Sequence, residues 1–193
     1  GLIRDGIHTY SSNPLIAGLP VSMKMIATYS APIASGTIAR VDPSKELQVG
    51  PKSAGARPGP ACFDLGGSEP TVTDADVILG FIDPDYFLGG RIKLNKAKAE
   101  KVMKAKIADR LGVSVYEAAW MVRDKMARMF IKEILDFARS YGISPEDLSK
   151  FAVVVYGGAG PTHYGDFMKD VWFGHSLATP YASVFSAFGS STT

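Results

Sequence analysis

The chain has a single cysteine, Cys62, so no internal disulfide framework can hold it together. Such usage suits a reducing compartment. Net charge is also scarce: 21 basic against 19 acidic residues leave +2, too little to argue for nucleic acid or an acidic membrane surface. Long apolar runs are missing, so no segment reads as a membrane span. The opening GLIRDGIHTY lacks the basic and apolar regions of a signal peptide. Internal repeats and low-complexity linkers are absent too. What is present is the composition of an ordinary globular protein, 46% hydrophobic and 21% charged. It reads as one cytoplasmic folding unit over residues 1–193.

Hydrophobic periodicity gives an alternating α and β order. Turn residues dominate up to Gly18, and Pro20 to Tyr29 then alternates as a strand does. Gly36–Val41 and Glu46–Val49 read as a hairpin across Asp42 to Lys45. A short helix is expected from Val77 towards Ile82. Asn95 caps a helix to Leu111, ended by Gly112, and the lysines from Lys93 to Lys106 make its solvated face. Ser114 and Glu117 form a capping box for a longer helix to Tyr141, with Met121, Met126 and Met129 expected in the core. Phe151 to Tyr156 has the composition of a fully buried interior strand, and the long helix should pack on a sheet. It runs into Gly157-Gly158-Ala159-Gly160 and a helix from about Thr162. Leu177 to Thr179 and a Ser183-capped helix close the order. This pattern predicts an α/β fold.

Several residues carry candidate chemistry. A strand, a GGAG turn and a helix can bring backbone amides with positive partial charge close to a nucleotide across Gly157, Gly158, Ala159 and Gly160. The same glycines also serve a plain strand-to-helix turn. Asp74 and Asp76, one residue apart, can hold Mg²⁺ or accept a proton, although Asp76 also suits the N-cap of the following helix. His163, just after the turn, can bind phosphate, polarise a carbonyl, shuttle a proton, or simply be structural. His8 and His175 have no companion at ligand spacing, which argues against zinc. Cys62 has no basic neighbour in sequence and reads as a small buried residue.

Between Val49 and Leu79 glycine and proline recur every few residues, so this segment specifies backbone more than packing. Its VGPKSAGARPGPAC and PTVTDAD phrases, with YGGAGPTH at Tyr156 to His163 and FSAFG at Phe185 to Gly189, resemble the hydantoinase A and oxoprolinase family. The resemblance runs from about Ile26 onward and implies the second lobe of an actin-like ATPase fold, shared with sugar kinases and heat-shock chaperones. It implies ATP with Mg²⁺ or Mn²⁺ as cofactors, with Gly157, Gly158 and Gly160 as the adenosine turn. Ser35, Gly36 and Thr37 fall where the family usually has its glycine-rich GAGGGSIA phosphate turn, and only Gly36 keeps a glycine there. His163 matches the last residue of the family phrase GGAGPLH and, with Asp74, stands as a catalytic candidate. Asp76 replaces the asparagine usual at its position and joins Asp74 as a candidate metal ligand. The family's first phosphate motif, DxGGTxTD, is absent from these residues, so half a nucleotide site, inactive alone, is expected. The poor glycine turn and the ATPYASVFSAFGSST ending are similar to the acetone and acetophenone carboxylase branch. That branch implies ketone and bicarbonate substrates and a multi-subunit complex with a hydantoinase B-like partner. ATP-dependent hydantoinases and oxoprolinases are the alternative, and a non-catalytic scaffold lobe is a third reading.

Overall fold

A computed structural model describes residues 1–16 and 18–191. They divide into two compact units, 1–31 and 32–191. The first unit is built of two-residue strands: β1 (Ile3–Arg4), β2 (Ile7–His8), β3 (Tyr10–Ser11), β4 (Leu15–Ile16), β5 (Leu19–Pro20) and β6 (Met25–Ile26). β1 pairs with β2, β3 with β6 and β4 with β5, all antiparallel. The continuous strand expected over Pro20 to Tyr29 is therefore broken between β5 and β6. Met23 is exposed and Val21 and Met25 are only half-buried, so the alternating face is covered too little to hold one continuous strand.

The second unit begins with the expected hairpin, β7 (Thr37–Val41) and β8 (Leu47–Ser53). Asp42 closes its turn by accepting the amides of Ser44 and Glu46 at 2.9 and 3.0 Å. Helix α1 (Val72–Leu79) follows, ended by Gly80 in the left-handed region. Next come α2 (Lys96–Met103), one π-helical turn over Lys104–Ala108, and α3 (Asp109–Leu111), stopped by Gly112. The predicted Asn95 cap is present, its Oδ1 accepting the Lys98 amide at 3.1 Å. Several lysines of this basic stretch pair with acids, among them Lys98 with Asp64 and Lys106 with Glu69.

The Ser114–Glu117 capping box starts α4 (Val115–Ser140) as predicted. The core lies between α1, α2, α4 and the hairpin, where Val72, Ala75, Ala99, Met103, Val122 and Ala39 are buried. Met126 joins it, Met129 is partly buried, and Met121 turns outward with 37% exposure. Position 121 lies off the stripe set by Ala118, Val122 and Met126.

The last part is a β-α-β crossover. β9 (Ala152–Val154) leads into α5 (Ala159–Phe167) and returns as β10 (His175–Leu177), parallel to β9. α6 (Phe185–Ser191) follows. One expectation is corrected here. The expected buried interior strand at Phe151 to Tyr156 is a three-residue strand with a single partner among the described residues, and Val154 is 44% exposed. A near-continuous apolar run specifies burial on both faces, but two strands supply no such layer. The long helix α4 packs chiefly on α1 and, as expected, on a sheet, that of the hairpin through β8, with α5 as a further neighbour. The α/β class stands. Among the described residues no helix is long and apolar enough to cross a membrane.

Candidate functional site

A cavity of about 530 Å³ opens in the second unit where three distant stretches meet. Ser35 and Gly36 enter from the turn before β7, and Thr73 and Asp76 from α1. Gly158, Ala159 and Thr162 come from the start of α5. Phe81, Ile82, Tyr86, Phe87 and Leu88 form a largely apolar wall, with Asp83 among them.

Each turn is fixed by its own sequence. Thr37 is buried and closes the first one, its Oγ1 accepting the Ala34 amide at 2.9 Å. Thr73 then ties that turn to α1, since its amide and its hydroxyl both donate to the Ser35 carbonyl, at 2.8 and 2.9 Å. At the other turn Gly157 has φ of +84°, a conformation that a side chain disfavours, and its amide donates to Ala182 O at 2.7 Å. Gly158 follows with φ of −73° and opens α5 without any side-chain cap. The first amides of that helix have no intrahelical acceptor and carry partial positive charge.

The two acids take separate roles. Asp74 is the N3 residue of a capping box whose N-cap is Thr71, which corrects the expectation that Asp76 begins the helix. Its buried carboxylate accepts from the Ala61, Cys62 and Thr71 amides at 3.2, 2.8 and 2.9 Å, and from the Thr71 hydroxyl at 2.8 Å. Asp74 therefore clamps the glycine-proline loop onto α1 and does not line the cavity. Burial first, and the Asp74 charge next, push the Cys62 thiol far above its usual range, so it is a poor nucleophile. Asp74→Ala should strand three buried amides at about 1–3 kcal/mol each. A large fall in the urea midpoint is expected, and an unchanged midpoint would contradict the clamp.

Asp76 points the other way. It is fully buried, yet it reaches the cavity, and its Oδ1 accepts from Arg123 Nη1. Its Oδ2 lies 3.1 Å from His163 Nε2, close in distance but without hydrogen-bond alignment. His163 is 2% exposed and stands behind the cavity lining. Arg123 links the whole group. Its Nε donates to Asp166 Oδ2 at 2.6 Å, its Nη2 to Thr162 O at 2.5 Å, and its guanidinium lies 3.5 Å from the Phe81 ring centroid. The cavity thus unites Ser35, Gly36, Asp76, Gly158 and Ala159, while Thr37, Asp74, Gly157, Gly160 and His163 lie outside its lining. The two acids share no partner, and among the described residues no three His, Cys, Asp or Glu side chains converge as a metal cluster. Sequence reading missed Arg123. Its spacing from Ala119, Met126 and Ala127, all buried, was the available signal, because an arginine on an apolar stripe must find acids.

The sequence profile of the hydantoinase/oxoprolinase family matches residues 1–192. The chain belongs to that family. It is 45% identical to the acetophenone carboxylase gamma subunit of Aromatoleum aromaticum, over 98% of this chain and 25% of the relative. Among solved structures, nucleotide-free acetone carboxylase superposes with a TM-score of 0.89 at 34% identity, covering 98% of this chain and 26% of that one. The ATP-dependent caprolactamase of Pseudomonas jessenii gives 0.82 at 35% identity, covering 93% and 26%. The hydantoinase/oxoprolinase chain described here thus spans about a quarter of the length of these relatives.

Proposed function

We propose that residues 1–193 form part of the second lobe of an actin-like ATPase subunit in an ATP-dependent ketone carboxylase, and that the cavity takes one side of the nucleotide. One observation carries this reading: two turns far apart in sequence, Ser35-Gly36 and Gly158-Ala159, line the same cavity. The 45% identity to an acetophenone carboxylase subunit favours ketone and bicarbonate as co-substrates. ATP would phosphorylate an enol or bicarbonate oxygen, making the first stable and the second a good leaving group. Other subunits, a hydantoinase B-like chain among them, would complete the enzyme in the cytoplasm.

The lining explains why this lobe would not act alone. It contains Asp76 and Asp83 but neither lysine nor arginine. A triphosphate therefore needs a cation and positive groups from elsewhere. Of the two acids Asp76 is the one that would hold Mg²⁺ or Mn²⁺, because it lines the cavity and its Oδ2, facing His163 Nε2 at 3.1 Å, accepts no hydrogen bond, whereas the Asp74 oxygens already accept four. Such ions commonly take one or two carboxylates together with phosphate oxygens. His163 would act through Asp76, since it does not itself line the cavity.

The test has two arms. The purified chain should show no measurable ATP turnover, and the assembled enzyme exposed to 8-azido-ATP should be photolabelled between Phe81 and Leu88 or around Gly158. Turnover by the lone chain, or label confined to other segments, would overturn the assignment. The superposition on caprolactamase supports a second reading, ATP-driven hydrolysis of a cyclic amide. Bicarbonate-dependent ATP consumption with a ketone selects the first reading, and consumption with a lactam selects the second.

A further inference from the structure

We propose that Arg123 is a positioning residue that fixes both sides of the nucleotide cavity to one point, without touching the nucleotide itself. This rests on the reading of the cavity as a nucleotide cleft. Arg123 is 2% exposed and lies outside the lining, yet it contacts three residues that form it. It donates to Asp76 on α1, donates to the Thr162 carbonyl on α5, and stacks its guanidinium against Phe81 on the apolar wall. A fourth partner, Asp166, ties it to the far end of α5. A planar fork with five N–H donors can hold all of these at once.

The geometry gives the clamp a consequence for binding. Arg123 holds Asp76 by Oδ1, which fixes the carboxylate with its Oδ2 facing His163 Nε2 at 3.1 Å and accepting no hydrogen bond. Because Thr162 O is held, the first turn of α5 and the Gly158-Ala159 edge keep their place opposite Ser35 and Gly36. Lysine keeps the charge but presents a single donor point, so it can serve one of these partners and not all together. Asp166 provides an independent handle, because it is joined to the clamp but absent from the lining.

The experiment measures mant-ATP affinity by fluorescence in the assembled enzyme, with thermal midpoints recorded alongside. Arg123→Lys should fold and raise Kd about tenfold or more. Asp166→Asn should raise it several-fold, and the double variant should match Arg123→Lys alone, since both changes release one clamp. A purely structural arginine would lower the midpoint and leave Kd untouched. A folded Arg123→Lys with Kd within twofold of the wild type overturns the proposal while leaving the cleft reading intact. If Arg123→Lys does not fold, Asp166→Asn decides alone, and an unchanged Kd in it overturns the clamp. If wild-type binding is indifferent to Gly158→Asp, the cleft reading fails and the clamp falls with it.

Discussion

Arg123→Met should lower the unfolding free energy by about 3–5 kcal/mol, because removing one partner of a buried ion pair leaves uncompensated charge behind. Here the change takes the guanidinium from two acids. Asp76 and Asp166 are both buried; Asp76 keeps only the His163 imidazole at 3.1 Å, and Asp166 only the half-exposed Lys169 at 3.3 Å. A domain commonly has about 5–15 kcal/mol of stability in all, so this single change should leave a chain close to unfolding. Urea unfolding followed by the fluorescence of Trp120, on the same helix, would report it. Removing the acids as well, as Arg123→Met with Asp76→Asn and Asp166→Asn, should restore part of the loss, since no unpaired carboxylate then remains. A midpoint that stays put in Arg123→Met would mean that water reaches the cluster and screens it.

That cluster marks the limit of what the residues disclose by themselves. Local rules worked where one signal acts within a few residues. The Asn95 cap, the Ser114–Glu117 box, the hairpin about Asp42 and the αL stops at Gly112 and Gly142 are all legible from spacing. The glycine turns could be picked out, but not their meeting, because Ser35 and Gly158 converge only through the packing of α1 and α5 on α4. The pair Asp74 and Asp76 misled for a related reason. Two positions apart on a helix means roughly 200° of rotation, so acids that look like partners in sequence face opposite ways. The composition of Phe151 to Tyr156 reports the burial a strand is suited to and says nothing of which strands are present to supply it. Arg123 needed the converse inference, from a charged residue on an apolar stripe to distant acids that no spacing rule can name.

Gly158→Asp should abolish nucleotide binding in the assembled enzyme while leaving the fold intact. The backbone permits the change: φ is −73°, and a Cβ at this position meets no atom within 4 Å. Gly157, at φ +84°, would not be a fair test, because any side chain there strains the turn. The new carboxylate stands at the cavity edge, beside the uncapped start of α5. At ~4 Å from a phosphate charge, repulsion is about 4 kcal/mol at an effective dielectric of ~20, which corresponds to roughly a thousandfold in Kd. The aspartate would also occupy the N-terminal amides that the anion would otherwise meet. Gly158→Ala is the control, since it adds bulk without charge and should bind within a few-fold of the wild type. Mant-ATP titration of both variants, with circular dichroism to confirm equal folding, separates the cases. A lobe that serves only as scaffold predicts assembly and nucleotide affinity unchanged in both, and that result would remove the nucleotide from this cavity.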